Sequence, residues 1–349
     1  MVTSVYYEPN TYWNDFAIVR EHLNRRATDD PSVDWVEHLR RLNGGRQFRK
    51  ALVLNCGNGW VERHLIDRGL VFAATATDIS TDFVEQCRRD VGDRLIGYVT
   101  MDVNRIDEVI AAGSELALTW EPYDLVVNYA ACHHIEMLDR VLSSVRTLCT
   151  PDAIFVSWDY MGPDRNQYPL RQWRAMHRLN RSLPTELRKS MRYPSLKTML
   201  AMDPSEAVRS SRVRESIGAW FDVIHDRDLG GGIAYEVITH NRAFFDERGP
   251  RADTIPHVEH LLVADERWTE RHPGGGFRYV LARPRAELDP VEVERRLAAE
   301  RNDRERAGRR GGRYGRRTLP GLWAGLAVAA LERRARVAHR LRRVLGRAR

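Results

Sequence analysis

The sequence predicts an α/β protein built on a doubly wound, mostly parallel seven-stranded sheet. Three observations lead there. From residue 51 onward, apolar runs alternate with stretches of helical periodicity, the pattern of parallel strands joined by crossover helices. The first apolar run passes directly into a glycine turn and then a helix across Leu52–Trp60. Near residue 275, a Gly-Gly-Gly turn precedes a last apolar run, placed to return as a hairpin and complete the seventh strand.

Taken in order, residues 5–50 read as helices, with Asp34–Leu42 amphipathic, and residues 1–45 form a helical N-terminal cap. Ala51–Cys56 is the first strand and Trp60–Arg68 the first crossover helix. Val71–Ile79, Leu95–Val103, Tyr123–Ala130 and Ala153–Tyr160 repeat the strand theme. Helices near Thr81–Arg89, Arg105–Ala112 and Glu136–Leu148 lie between them. Residues 163–217 then carry Arg, Pro and Met in a polar helical pattern without strands, which reads as a helical insertion. Phe221–Leu229 resembles a sixth strand, Gly230–Phe245 and Ile255–Arg271 helices, and Gly276–Pro284 the last strand. The domain therefore spans residues 46–285, followed by an Arg-rich linker or helix at 286–318 and a basic amphipathic helix at 319–349.

A chain of 349 residues, 43% hydrophobic, is long enough to bury a full core. Its four cysteines show neither C-x-x-C pairing nor metal spacing, which argues for a reducing compartment and against a disulfide scaffold. No basic segment followed by an apolar run opens the chain, and no stretch approaches the roughly 20 apolar residues of a membrane span. A cytoplasmic protein is the expectation. The net charge of +7 is unevenly placed: residues 291–349 hold eighteen arginines against six acids, so the rest of the chain is mildly acidic. Arguments from basicity to nucleic acid or membrane concern the tail alone.

The sharpest motif is Leu54-Asn55-Cys56-Gly57-Asn58-Gly59-Trp60, a strand running into a G-x-G turn that opens a helix. Glycines there let the backbone turn tightly and approach a ligand that a Cβ would block. The same string also suits an ordinary strand-to-helix turn. Asp78 closes the second strand 21 positions after Gly57, where a ribose-binding carboxylate belongs in such folds. Asp102 ends the third strand on the same edge. Either acid could alternatively cap a helix or turn.

These residues together resemble the class I S-adenosylmethionine-dependent methyltransferases, whose fold is Rossmann-like, over roughly residues 45–285. The resemblance implies S-adenosyl-L-methionine as cofactor and a cofactor site formed by Asn55, Gly57, Asn58, Gly59, Asp78, Ile79, Asp102, Val103 and Asn128. A nicotinamide enzyme would call for a third glycine where Trp60 stands. A narrower resemblance is to a bacterial subgroup with a G-P-x-R-x-Q segment and a D-P-S-E-A-V-R-S segment, here Gly162–Gln167 and Asp203–Ser210. Where that subgroup usually has Glu-Tyr before the first segment, this chain has Asp159-Tyr160. Members resemble accessory enzymes of surface-glycan or specialised-metabolite biosynthesis.

Methyl transfer needs an acceptor held in line with the leaving sulfur and, for a hydroxyl, a way to remove its proton. Asn128–His134 leaves the fourth strand without the N-P-P-Y pattern of enzymes that methylate amide or exocyclic amino nitrogens, which counts against nucleobase and glutamine acceptors. His133 is a candidate general base titrating near 6.5, with packing as the alternative, while His134 is expected to point elsewhere. Asp159 is a candidate base or acceptor-binding acid. Tyr160, Arg165, Asn166, Gln167 and His240 are candidates for the acceptor, a small molecule or glycan, although Arg165 could equally tie down the insertion and His240 could lie at the surface. Trp13, on the N-terminal cap, reads as core. His257 and His260 share a helical face without a third ligand, so no metal is expected from them.

The apolar segment Leu319–Leu331 with Trp323 and the eight arginines after it would suit a helix in an anionic membrane interface or against a protein partner; nucleic acid is the weaker fit because aromatics are scarce there. The expectation is an O-methyltransferase, peripheral at the inner face of the cell membrane if the tail engages it. The rival is an inactive methyltransferase-fold scaffold docked through that tail.

Overall fold

A computed structural model describes residues 11–112 and 122–309. The chain begins with α1 (Ala17–Thr28) and α2 (Trp35–Leu42), then alternates β1 (Phe48–Leu54), α3 (Trp60–Asp67), β2 (Val71–Asp78), α4 (Thr81–Asp90), β3 (Ile96–Thr100), α5 (Ile106–Ala111), β4 (Tyr123–Tyr129), α6 (Leu138–Thr147) and β5 (Cys149–Tyr160). The insertion contributes α7 (Leu170–Ser182), α8 (Leu196–Met202) and α9 (Val213–Trp220). Next come β6 (Phe221–Gly230), α10 (Tyr235–Ile238), a two-residue-wide ribbon of β7 (Phe245–Asp246) and β8 (Gly249–Pro250), α11 (Ile255–Arg271), β9 (Phe277–Pro284) and α12 (Pro290–Arg309).

The seven-stranded sheet has the order β3-β2-β1-β4-β5-β9-β6. β1 to β5 run parallel, and β9 lies antiparallel between β5 and β6, the predicted hairpin return. This is the Rossmann-like sheet of class I methyltransferases. Strand order reverses between β1 and β4, so the chain leaves their carboxyl ends in opposite directions and opens a crevice there. Alternation along each strand feeds two cores. Ala51, Val53, Leu125, Val127, Ile154 and Val156 face α1, α2 and α11, whereas Leu52, Leu54, Val126 and Phe155 face α6 and α9.

Boundaries shift for local reasons. β1 starts at Phe48, three residues early, because Phe48 already pairs with Val71. β3 stops at Thr100 because Asp102 caps a 3₁₀ turn, its Oδ1 accepting from the Asn104 amide at 3.0 Å. The helix predicted over Gly230–Phe245 is corrected to the single turn of α10. Gly230 and Gly231 lie at φ 80° and 81°, and His240 at φ 55° stops any continuation. The carboxylate of Asp265, wholly buried on α11, fixes this turn by accepting from Gly231, Ile233 and Ala234 amides at 2.6, 2.7 and 2.9 Å.

α12 occupies part of the predicted 286–318 segment and is docked on the sheet domain. Glu300, 3% exposed, accepts from the amides of Asp139 and Arg140 and so caps α6, which has no side-chain cap of its own. The basic helix expected at 319–349 lies outside the described residues.

Candidate active site

Two constellations flank the crevice. The first surrounds the turn between β1 and α3. Asn55, Gly57 and Gly59 take left-handed conformations at φ 47°, 56° and 73°. A Cβ on Gly59 would lie 2.6–2.8 Å from an Arg63 guanidinium nitrogen, Cys87 Sγ and Glu62 Oε1, so only glycine fits. Asp78, at the end of β2, joins the turn to the strand: its Oδ2 accepts from the Gly57 amide at 2.9 Å and its Oδ1 from the Ser80 amide at 2.8 Å. Ile79 beside it is 68% exposed, an apolar surface next to a carboxylate. Asn55 Nδ2 donates to Ala131 O at 3.3 Å, tying this turn to the loop after β4. Asn58 is exposed and accepts from the Trp60 amide at 3.3 Å, while Val103 is buried behind Asp102. Under the turn, Glu62 has no exposed surface, and burial pushes its carboxyl up to about 7.

The second constellation starts at Asn128, 1% exposed. Its Nδ2 donates to Ser157 Oγ at 2.7 Å and Asp159 Oδ2 at 2.9 Å, and its Oδ1 accepts from the Ala131 and Cys132 amides. Asn128 thus shapes the loop that follows β4. That loop presents His133, whose Nδ1 lies 2.5 Å from Oδ1 of the fully buried Asp159. Asp159 also accepts from the His133 and Tyr160 amides. Glu206, from the insertion, reaches across: its Oε2 lies 3.8 Å from His133 Nε2 and 3.7 Å from His134 Nε2.

This arrangement corrects two expectations. Burial alone would lower the His133 imidazole, but contact with Asp159 and proximity to Glu206 outweigh it and raise its pKa to about 10. His133 is therefore charged at neutral pH, not a free base titrating near 6.5. His134 does not point elsewhere: the two rings lie 4.1 Å apart by centroid, and burial with the adjacent His133 charge lowers His134 to about 4. Burial opposes ionisation of Glu206, yet the two imidazoles hold it down at about 2.

The acceptor candidates divide. Tyr160 is buried with its ring edge-on to His133 at 6.3 Å and to Phe277 at 5.5 Å. Arg165, 4% exposed, donates to the carbonyls of Pro204 and Glu206, so it ties down the insertion. Asn166 Nδ2 donates to Glu206 Oε1 at 3.4 Å, and Gln167 Nε2 to Pro194 O at 2.7 Å. Both support the segment that carries Glu206. His240 is set against the N-terminal segment, its Nδ1 3.0 Å from Thr11 Oγ1 and its ring 4.9 Å from Tyr12. Trp13 is core, packed on Tyr235 and Phe277.

Sequence reasoning missed Glu206 as a site residue, although the string containing it was conspicuous. Its only other signal was an acid near a second histidine-bearing loop, visible once the insertion is folded back.

Comparison with solved structures finds a protein from Pyrococcus horikoshii OT3, PH0226, at 14% identity, covering 72% of this chain and 88% of that one with a TM-score of 0.36. A second is the StiE O-MT fragment of residues 942–1257, at 12% identity, 84% and 89% coverage and TM-score 0.39. A third is the plantazolicin methyltransferase BamL, in complex with a triazolic desmethylPZN analogue and SAH, at 12% identity, 77% and 84% coverage and TM-score 0.39. No curated protein matches the chain. Residues 52–157, which run from β1 into β5 and include Gly57, Asp78, Asp102, Asn128 and His133, match the Methyltransf_11 family model, described as a methyltransferase domain.

Proposed function

We propose that the protein transfers a methyl group from S-adenosyl-L-methionine to an oxygen of a small-molecule or glycan acceptor. The observation that carries this reading is the bond from the Gly57 amide to Asp78 Oδ2, which links glycine turn and strand-end carboxylate inside the segment matching a methyltransferase domain. The residues fit the cofactor. Asp78 keeps carboxylate capacity for a ribose diol, exposed Ile79 offers an apolar face to a base, and Gly57 and Gly59 supply the left-handed backbone that makes the turn. Asn55, Asn58, Asp102 and Val103 complete that wall, and Asn128 contributes by holding the neighbouring loop. When bound, S-adenosylmethionine supplies an electrophilic methyl group on a sulfonium.

The acceptor belongs at the carboxyl edges of β4 and β5, where His133, Asp159 and Tyr160 face the insertion. Asp159 orients the His133 ring through Nδ1, and Arg165, Asn166 and Gln167 hold the insertion against it. The absence of N-P-P-Y at Asn128–Ala131 supports oxygen over amide nitrogen. Titration calorimetry with S-adenosylmethionine and S-adenosylhomocysteine tests the reading. Binding by the wild type that is lost in Gly57→Arg and Asp78→Ala is expected; no binding by the wild type overturns it. For the tail, composition supports an anionic membrane surface as its contact. Pelleting with anionic vesicles should exceed that with neutral ones and fall with salt, because such attraction is screened over about 8–10 Å at physiological ionic strength.

A further inference from the structure

We propose that His133 Nε2, His134 Nε2 and Glu206 Oε2 bind one divalent transition-metal ion of the zinc type. The three residues each bring a ligand atom within 4.8 Å of the other two, and Glu206 Oε2 lies 3.8 and 3.7 Å from His133 Nε2 and His134 Nε2. The 3.8 and 3.7 Å separations from Glu206 Oε2 to the two nitrogens are too long for hydrogen bonds. They are close to what atoms sharing an ion require, since ligands bonded at about 2.0–2.2 Å sit a little over 3 Å apart. A contraction of a few tenths of an ångström brings Glu206 Oε2 to that spacing from both nitrogens.

Independent of those distances, the other side of each ring is already engaged. His133 Nδ1 lies on Asp159 Oδ1 at 2.5 Å and His134 Nδ1 on Ser205 Oγ at 3.1 Å, with Ser205 Oγ held in turn by Asp203 Oδ1 at 2.6 Å. Metal-ligating histidines are oriented in this way, one nitrogen anchored to a carboxylate or hydroxyl and the other turned to the ion. Asn166 Nδ2 steadies the second oxygen of Glu206 at 3.4 Å, and Arg165 holds the backbone on either side of it. Charge agrees as well. Asp159 and Glu206 bring two carboxylates to a mostly buried place, and a divalent ion with two neutral imidazoles, replacing the Nε2 proton of His133, balances them.

Two imidazoles and one carboxylate form a donor set suited to zinc and its first-row neighbours, and three protein ligands leave a position open. On the methyltransferase reading above, that position would take the acceptor hydroxyl and lower its pKa, so that its proton would pass to solvent water. The resulting oxyanion would form the bond to the methyl carbon as the bond from that carbon to sulfur breaks and S-adenosylhomocysteine leaves. The acceptor would then be an alcohol, phenol or sugar hydroxyl able to reach an ion beside Tyr160. The ion would also pin the insertion to the loop after β4, two segments some seventy residues apart in sequence.

The test uses untagged full-length protein treated with chelator, then titrated with Zn²⁺ by calorimetry and with Co²⁺ by visible absorption. One equivalent should bind, Co²⁺ should give d–d bands without thiolate charge transfer, and Glu206→Gln and His134→Asn should each weaken binding at least tenfold. Circular dichroism and S-adenosylhomocysteine binding report whether the variants fold. Failure to bind either ion overturns the proposal and leaves only an ion-paired cluster. Binding that both folded variants retain, or thiolate bands from Cys56 and Cys87, overturns it equally. Cofactor affinity is read separately: metal binding without S-adenosylhomocysteine binding sinks the function but not the site, and the reverse sinks the site but not the function.

Discussion

The glycine turn after β1 and the histidine cluster after β4 lie at the carboxyl ends of neighbouring strands and are built in different ways. The turn is made almost wholly by backbone: three left-handed residues and the amides of Gly57 and Ser80, gathered by one carboxylate. Its parts lie within 26 residues, on adjacent parallel strands. The histidine cluster is made by side chains: Asn128, His133, Asp159 and Glu206 come from two strand ends and an insertion, spanning residues 128–206. A backbone cradle suits an invariant cofactor, whereas a side-chain cluster closed by an insertion can be retuned to a different acceptor without disturbing the sheet.

If the two are separable, substitutions in one should leave the other working. The largest effect is expected from Asp78→Ala, which strips two amides of a charged acceptor. With such bonds contributing about 1.5–3 kcal/mol each, S-adenosylhomocysteine affinity should fall at least about 100-fold. Calorimetry checks it, and retained affinity would break the division outright. Next, Asp265→Ala orphans three amides at about 1–3 kcal/mol each and should lower stability by 3 kcal/mol or more, in rough terms, seen as a reduced urea midpoint. Because Asp265 holds a turn apart from Gly57 and Asp78, cofactor affinity should survive at low temperature.

Glu62 sharpens the comparison through pH. Its carboxyl is held near 7 in the folded chain, above the unfolded value of 4.5, so the unfolded state ionises first as pH rises. Its contribution falls from none below about pH 4.5 to a penalty of about 3 kcal/mol above pH 8. Glu62→Gln should therefore raise the urea midpoint at pH 8 and leave it unchanged at pH 4; equal effects at both would remove burial as the cause. The smallest effect on cofactor affinity is expected from Arg165→Ala, which loses charge-assisted bonds to the Pro204 and Glu206 carbonyls at about 1.5–3 kcal/mol each. Proteolysis within residues 203–210 should quicken while S-adenosylhomocysteine affinity stays within about threefold, too little to matter beside the tenfold that 1.4 kcal/mol represents.

Local pattern was enough for the sheet. The runs at Ala51–Leu54 and Leu125–Val127 are apolar on both faces because helices cover both sides, and α11 was predicted at Ile255–Arg271, the bounds it has. Gly57 and Asp78 were legible for the same reason, since the strand-turn-helix unit fixes which residues end on the carboxyl edge. The failed helix at Gly230–Phe245 shows the limit. Its periodicity is real, but Gly230 and Gly231 at φ 80° and 81° put the start off until Tyr235, and His240 at φ 55° ends it after one turn.

The sequence by itself determined the strand order's raw material, the glycine turn and the carboxylate beneath it, because each depends on neighbours in one βαβ unit. Tertiary structure alone decided that contact with Asp159 and proximity to Glu206 raise the His133 pKa, that His134 turns toward Glu206 as well, and that Glu300 caps α6 from some 160 residues along the chain. Those outcomes depend on which groups burial brings within a few ångströms. Charge and hydrogen bonding act over that range in space regardless of separation along the chain, so no reading of spacing could supply them.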